Sequence, residues 1–140
     1  MRADWVQAHP NATQALLKAV MEAQMFCEDP ANREEVARIC AKRRWINAPF
    51  EDIVDRMRGD FDYGTGRVVE NSPQQMRYWK DQASYPFQSH DLWFLTENIR
   101  WGYLPRDFDM KGWVAKVNRE DLWRQAAQEL GVAASDIPAS

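Results

Sequence analysis

Proline and glycine divide this chain into short helical segments, and their positions limit its fold more than any other feature. Pro10, Pro30, Pro49 and Pro73 each stand where a helix would begin, because proline has no N–H to leave unpaired in a first turn and its φ is already helical. Gly59, Gly102 and Gly131 each follow a stretch with helical spacing and are placed to end it in the left-handed conformation. The first segment covers residues 10–26, with Ala12, Leu16, Ala19, Val20, Ala23 and Phe26 forming its apolar face. Asp29-Pro30 restarts a second helix with Val36, Ile39 and Cys40 inward. Asn47-Ala48-Pro49 opens a third, with Ile53, Val54 and Met57, that closes at Gly59.

The stretch from Gly59 to Pro73 is rich in turn formers, including Asp62, Gly64, Gly66, Asn71 and Ser72, and reads as an ordered loop in which Val68-Val69 is the strand-like dipeptide. Ser72-Pro73 predicts a cap and first turn for a helix over 74–80, with Met76 and Tyr78 or Trp79 inward. Ser84 to Phe87 is extended, since the residue before proline avoids helical dihedrals, and Ser89 is placed to cap an aromatic helix over 90–101. Asp109 and Asn118 are expected to cap the last two helices, Asn118 with Asp121 as a weak capping box. Leu122, Trp123, Ala126 and Leu130 form the final apolar face. The expected fold is mainly α, six or seven helices with almost no sheet and no internal repeat, over one region at 1–140.

At 140 residues and with 45% hydrophobic side chains, the chain can form one compact domain. It has no apolar run of membrane-spanning length, and no signal-peptide core in its first thirty residues. A net charge of -3 gives no general electrostatic reason to bind DNA, RNA or an anionic membrane. Seven Trp, four Tyr and six Phe are a heavy aromatic load, which requires large surfaces to be covered. Cys27 and Cys40 fit neither a redox motif nor a zinc motif, and they are expected to be unpaired because a helical hairpin would put them at opposite ends.

The residues that could carry chemistry read better as structure. His90-Asp91, with Glu97, could form an acid-base group, yet both residues fall in the first turn after Ser89, where an acidic group offsets the helix dipole. His9 precedes a first-turn proline. Gly64-Thr65-Gly66-Arg67 lacks the Lys-Ser/Thr of a phosphate loop and the buried strand of a dinucleotide loop, and reads as a glycine turn. Trp93, Trp101, Trp113 and Trp123 could stack on bases, but a base-stacking surface needs a basic groove, so packing is the expected role. Glu34, Glu35, Arg38, Lys42 and Arg43 read as one solvated helix face. No catalytic, metal-binding or cofactor-binding residue is assigned.

The order of longer blocks is more specific. AVMEAQ at 19–24, DFDYG at 60–64, NS at 71–72 with MRYW at 76–79, ASYPFQSHDLWFLTENIRWG at 83–102, VNREDLW at 117–123 and ELGV at 129–132 follow one another along the chain. Together they resemble the C-terminal part of the nitrate- and bicarbonate-type substrate-binding proteins of ABC importers. The resemblance implies a C-terminal helical portion of an α/β type 2 periplasmic binding protein, whose two lobes close on a small oxyanion (nitrate, nitrite or bicarbonate) and pass it to permease and ATPase subunits. It implies a periplasmic location, and a fragment whose N-terminal lobe and anion-contacting residues lie upstream of residue 1. It assigns no ligand residue here, and the calcium of bicarbonate-type members has no DxDxDG-like loop to hold it. Ser89-His90-Asp91 and Arg100-Trp101-Gly102 become scaffold, and the aromatic excess becomes the face that meets the rest of the protein.

Three other readings stand beside it. The same importers have ATPase subunits with a fused receptor-like regulatory domain, which would place the chain in the cytoplasm. Thiamine-pyrimidine synthases share the general fold, but two cysteines and two histidines do not supply their iron chemistry, so an enzyme is not expected. A free-standing helical interaction module would use its Trp faces to bind a partner.

Overall fold

The computed structural model describes residues 1–139. It is mainly helical: α1 (Ala3–Ala8), α2 (Pro10–Glu28), α3 (Arg33–Ala41), α4 (Glu51–Arg58), α5 (Gln88–Arg100), α6 (Met110–Val117) and α7 (Glu120–Glu129), with a two-stranded hairpin of β1 (Phe61–Asp62) and β2 (Val68–Val69). Pro10 starts α2 as expected, while α1 was not foreseen. The chain divides into two compact units, one made of Met1–Val20 with residues 84–139 and the other of Met21–Ala83.

In the second unit, α3 packs against α4, with Met21, Val36, Ala37 and Val54 buried. The Asp29 carboxylate accepts from the Ala31 N–H, so Asp29-Pro30 starts a single 3-10 turn (Pro30–Asn32), and α3 follows it. The α4 sequence matches its dipole, with Glu51 and Asp52 in the first turn and Arg56 and Arg58 in the last. It ends at Gly59, whose φ of 98° is left-handed and whose N–H returns to the Asp55 and Arg56 carbonyls. The left-handed φ is what favours glycine at 59; a Cβ there would sit 2.9 Å from the movable Gln75 Oε1.

The stretch expected to be a loop holds an antiparallel hairpin, with Phe61 opposite Val69 and Asp62 opposite Val68. Val68-Val69 therefore has a partner strand that composition did not reveal. The helix expected over 74–80 is absent. Ser72 is buried and forms a local turn, its Oγ accepting from the Gln74 N–H at 3.2 Å and its N–H donating to the Gly59 carbonyl at 2.8 Å. The N–H groups of 78–80 are taken by another partner, described below, and Asp81 and Gln82 have positive φ. A helix cannot propagate through that backbone. Met76, expected inward, is exposed, and Tyr78 and Trp79 are half-buried.

In the first unit, α5 packs on α6, and the core contains Tyr85, Leu95, Val114, Trp123, Ala126 and Ala127. The α6 cap is the one predicted: Asp109 Oδ1 accepts from the Gly112 N–H at 2.9 Å. A Cβ at 112 would lie 2.0 Å from Asp109 Oδ2, so any other residue there would force the capping carboxylate to shift. Ser89 does not cap α5. The helix begins at Gln88, two residues earlier than expected, after Phe87, and no side chain caps it. Asn118 Oδ1 does accept from the Glu120 N–H at 3.1 Å, but Asp121 pairs with Arg119 and does not complete a capping box.

The largest departure concerns α2. Ala12, Leu16, Ala19, Val20, Ala23 and Phe26, the face expected in the core, are all exposed, Leu16 by 50%, Val20 by 47% and Phe26 by 40%. Thr13, Gln14 and Met21 are buried instead. Helical periodicity located the apolar stripe correctly, and these 139 residues leave it uncovered.

Candidate functional site

The residues singled out for chemistry are each engaged in structure. His90 is exposed and lies against the Phe87 ring, 5.3 Å between centroids. Asp91 Oδ2 accepts from Asn118 Nδ2 at 2.7 Å, and the same amide donates to the Pro86 carbonyl at 2.9 Å. Glu97 pairs with Arg100. The structure thus does not bring His90, Asp91 and Glu97 together as an acid-base set. His9 packs on Trp5, and its carbonyl receives the Thr13 N–H and Oγ1, both at 2.9 Å.

Gly64-Thr65-Gly66-Arg67 is the tip of the hairpin. Both glycines have positive φ, the Tyr63 N–H donates to the Arg67 carbonyl at 3.1 Å, and the Arg67 guanidinium lies 4.9 Å over the Tyr63 ring. The tryptophans do not form one surface: Trp123 is buried, while Trp93, Trp101 and Trp113 are exposed. Among the described residues, no group of three or more His, Cys, Asp or Glu is placed to hold a metal ion.

Two arrangements that sequence reasoning missed organise the polar groups. In the first unit, buried Tyr85 donates its phenol O–H to Glu120 Oε2 at 2.6 Å and accepts from Arg124 at 2.6 Å. Burial, then the Glu120 carboxylate, pushes the Tyr85 phenol above its usual range. The Trp123 ring meets Tyr85 edge-on at 5.0 Å, and its Nε1–H donates to Ser84 Oγ at 3.2 Å. The SYPF segment is thereby fastened to α7. Gln14 fastens α2 to the same helix, its Nε2 donating to the Leu122 carbonyl and to Gln125 Oε1.

In the second unit, a cavity of about 740 Å³ is lined by Met25, Glu28, Arg33, Gln75, Trp79 and Lys80, among others. Beside it, Glu28 Oε2 accepts three successive backbone N–H groups, from Tyr78 at 2.7 Å, Trp79 at 2.9 Å and Lys80 at 3.3 Å. Such a nest is an anion cradle. Burial alone would raise the Glu28 carboxyl. The N–H groups of Trp79, Tyr78 and Lys80, with the charge of Arg33, outweigh it and hold the carboxyl below its usual value. Glu28 already fills this cradle, so it offers no open place for an external oxyanion.

Both cysteines are free and half-buried. Burial, then the charges of Cys27 and Cys40, pushes the Tyr78 phenol up. Burial, then the neighbouring Cys40, pushes the Cys27 thiol up. Native alkylation with iodoacetamide should give two adducts by mass, with Cys27 reacting more slowly than an exposed thiol. A single species lighter by two hydrogens, carrying a 27–40 bridge, would refute the unpaired assignment.

Comparison with known proteins gives these residues a wider context. The NMT1-like family profile matches residues 1–41. The nitrate/nitrite binding protein NrtA of Synechocystis sp. is 57% identical over 141 residues, covering 100% of this chain and 32% of that protein. The crystal structure of the periplasmic nitrate-binding protein NrtA from Synechocystis superimposes with a TM-score of 0.96, covering 100% of this chain and 37% of the solved one. Over its whole length, the chain is homologous to the nitrate-binding proteins. The bicarbonate-binding protein CmpA of Synechococcus elongatus is 42% identical over 146 residues, covering 99% of this chain and 32% of CmpA. The nitrate import ATP-binding protein NrtC of Synechocystis sp. is 34% identical over 134 residues, covering 94% of this chain and 20% of NrtC. The chain spans about a third of the length of NrtA and CmpA. The mainly α architecture is the helical portion of the nitrate-binding protein fold.

Proposed function

We infer that these residues are the C-terminal helical portion of the substrate-binding protein of an ABC importer, for a small oxyanion, with nitrate or nitrite ahead of bicarbonate. The 57% identity to a nitrate/nitrite binder against 42% to a bicarbonate binder supports that order. The observation that carries the structural part is the exposed apolar stripe of α2, from Ala12 to Phe26. A stripe of this length costs free energy in water and calls for a covering surface. The proposed cover is the larger part of the same protein, corresponding to the two thirds of NrtA that this chain does not span.

In this reading, the anion is held by residues outside these 140, its capture is reversible and non-covalent, and the protein works in the periplasm with permease and ATPase partners. Calorimetry tests this: the isolated 140 residues should give no saturable heat with nitrate, and the complete protein should give it. Micromolar nitrate binding by the isolated chain would overturn the assignment of the site to other residues.

The match to NrtC favours a second reading, a receptor-like regulatory domain of an importer's ATPase subunit. The gene separates the two. A Walker loop encoded upstream in the same frame would identify the ATPase, and an export signal followed by alternating strands and helices would identify the periplasmic receptor.

A further inference from the structure

The sequence reading placed Lys42 and Arg43 on the solvated face of a helix, but α3 ends at Ala41 and both residues lie in the turn beyond it. This turn contains KRRWI at 42–46. Lys42, Arg43 and Arg44 are all exposed, and among the described residues none of them forms an ion pair with a carboxylate. Glu34 of α3 is already taken by Arg38 and Arg58. Next to the three cations, Trp45 is 59% exposed and Ile46 is 60% exposed.

This turn has a defined conformation. The Trp45 N–H donates to the Lys42 carbonyl at 2.9 Å, the Ile46 N–H to the Cys40 carbonyl at 3.0 Å and the Asn47 N–H to the Lys42 carbonyl at 3.2 Å. Asn47 adopts a φ of 57°, which reverses the chain and leaves Trp45 and Ile46 at the exposed tip. The Arg44 guanidinium lies 4.6 Å over the Trp45 ring.

We propose that the 42–46 turn docks the protein peripherally on an anionic lipid surface, with Trp45 and Ile46 in the headgroup layer and Lys42, Arg43 and Arg44 against lipid phosphates. Charge complementarity argues for it: Lys42, Arg43 and Arg44 have no carboxylate partner among the described residues, and an anionic surface supplies the counter-charge. The tip distinguishes lipid from an acidic polypeptide. Carboxylates would satisfy the cations alone, whereas an exposed indole with a neighbouring aliphatic residue suits the membrane interface, where one part of the ring is apolar and the other wet. The net charge of -3 repels such a surface as a whole, so attachment is local and salt-sensitive. This proposal is independent of the oxyanion assignment, and loss of nitrate binding would leave it standing.

Vesicle co-sedimentation of the complete polypeptide tests it, using phosphatidylcholine vesicles with and without 30% phosphatidylglycerol. Binding is expected only with phosphatidylglycerol, and to fall away in 0.5 M NaCl. Replacing Lys42, Arg43 and Arg44 together by Gln should weaken binding roughly 100-fold, because each basic residue near the surface contributes comparably. Trp45→Ala with Ile46→Ala should weaken it roughly tenfold through lost apolar insertion. All five side chains are exposed, so unchanged thermal melts confirm that the variants fold. Equal sedimentation with phosphatidylcholine alone, or undiminished binding by the triple variant, would overturn the proposal. So would capture by polyglutamate without capture by the vesicles, which would identify an acidic polypeptide as the partner.

Discussion

Replacing Trp123 by alanine is expected to cost about 3–5 kcal/mol of stability, the range for removing a large buried aromatic side chain. Trp123 is in the core of the first unit with Ala126 and Ala127, meets Tyr85 edge-on at 5.0 Å, and donates to Ser84 Oγ. The loss therefore combines a cavity with a lost aromatic pair and the lost hydrogen bond to Ser84. Tyr85 is itself fixed by Glu120 and Arg124, so the cavity cannot close by moving Tyr85 without breaking those bonds. Trp123→Phe keeps most of the volume and should cost clearly less. Urea unfolding followed by circular dichroism measures both, and a loss for the alanine variant under about 1 kcal/mol would contradict the packing described.

Glu28→Ala is the second large effect, and it acts in the other unit. One carboxylate oxygen serves three backbone donors, so its removal leaves the N–H groups of Tyr78, Trp79 and Lys80 without their acceptor. Charge-assisted bonds to partly buried groups make a loss of about 2–3 kcal/mol the expectation, reduced where water reaches the freed donors. Glu28→Gln preserves an oxygen acceptor and loses the charge, so it should fall between wild type and alanine. The pH dependence has a definite sign. The folded carboxyl titrates below the ordinary value of 4.5, so its contribution is complete above pH 4.5 and is lost as the pH falls through the lower folded value. Urea titrations at pH 7 and near pH 3 should therefore differ more for wild type than for Glu28→Ala. Equal pH sensitivity in the two proteins would show that the nest does not stabilise this segment.

The two predictions concern residues that the sequence presented very differently. Trp123 was legible as core, because Trp123 and Ala126 recur at helical spacing before a stop glycine. Glu28 was not, since a glutamate at a helix end looks like any solvated charge, and its three donors lie about fifty residues away in the chain. The same distance explains the missing helix over 74–80. Ser72-Pro73 is a sound local start signal, and it fails because Glu28 takes the N–H groups that a helix would have turned inward. The pairing expected from neighbours in sequence is diverted in a comparable way at His90 and Asp91. His90 and Asp91 are neighbours in sequence, but Asp91 is committed to Asn118 across the unit, so proximity along the chain does not become a catalytic pair.

What the sequence determined by itself is local: where helices begin and end, as Pro10, Gly59, Asp109 and Gly102 show, and that α2 has an apolar stripe. These follow from backbone constraints and side-chain period, which act within a few residues. Only the tertiary structure decided that this stripe, from Ala12 to Phe26, faces outward while Thr13, Gln14 and Met21 face inward. Periodicity defines a face but not its partner, because burial depends on which distant surface arrives to cover it. Likewise, composition allowed seventeen aromatic residues, and packing chose which of them, such as Trp123, have a place inside these residues and which, such as Trp93 and Trp101, remain outside.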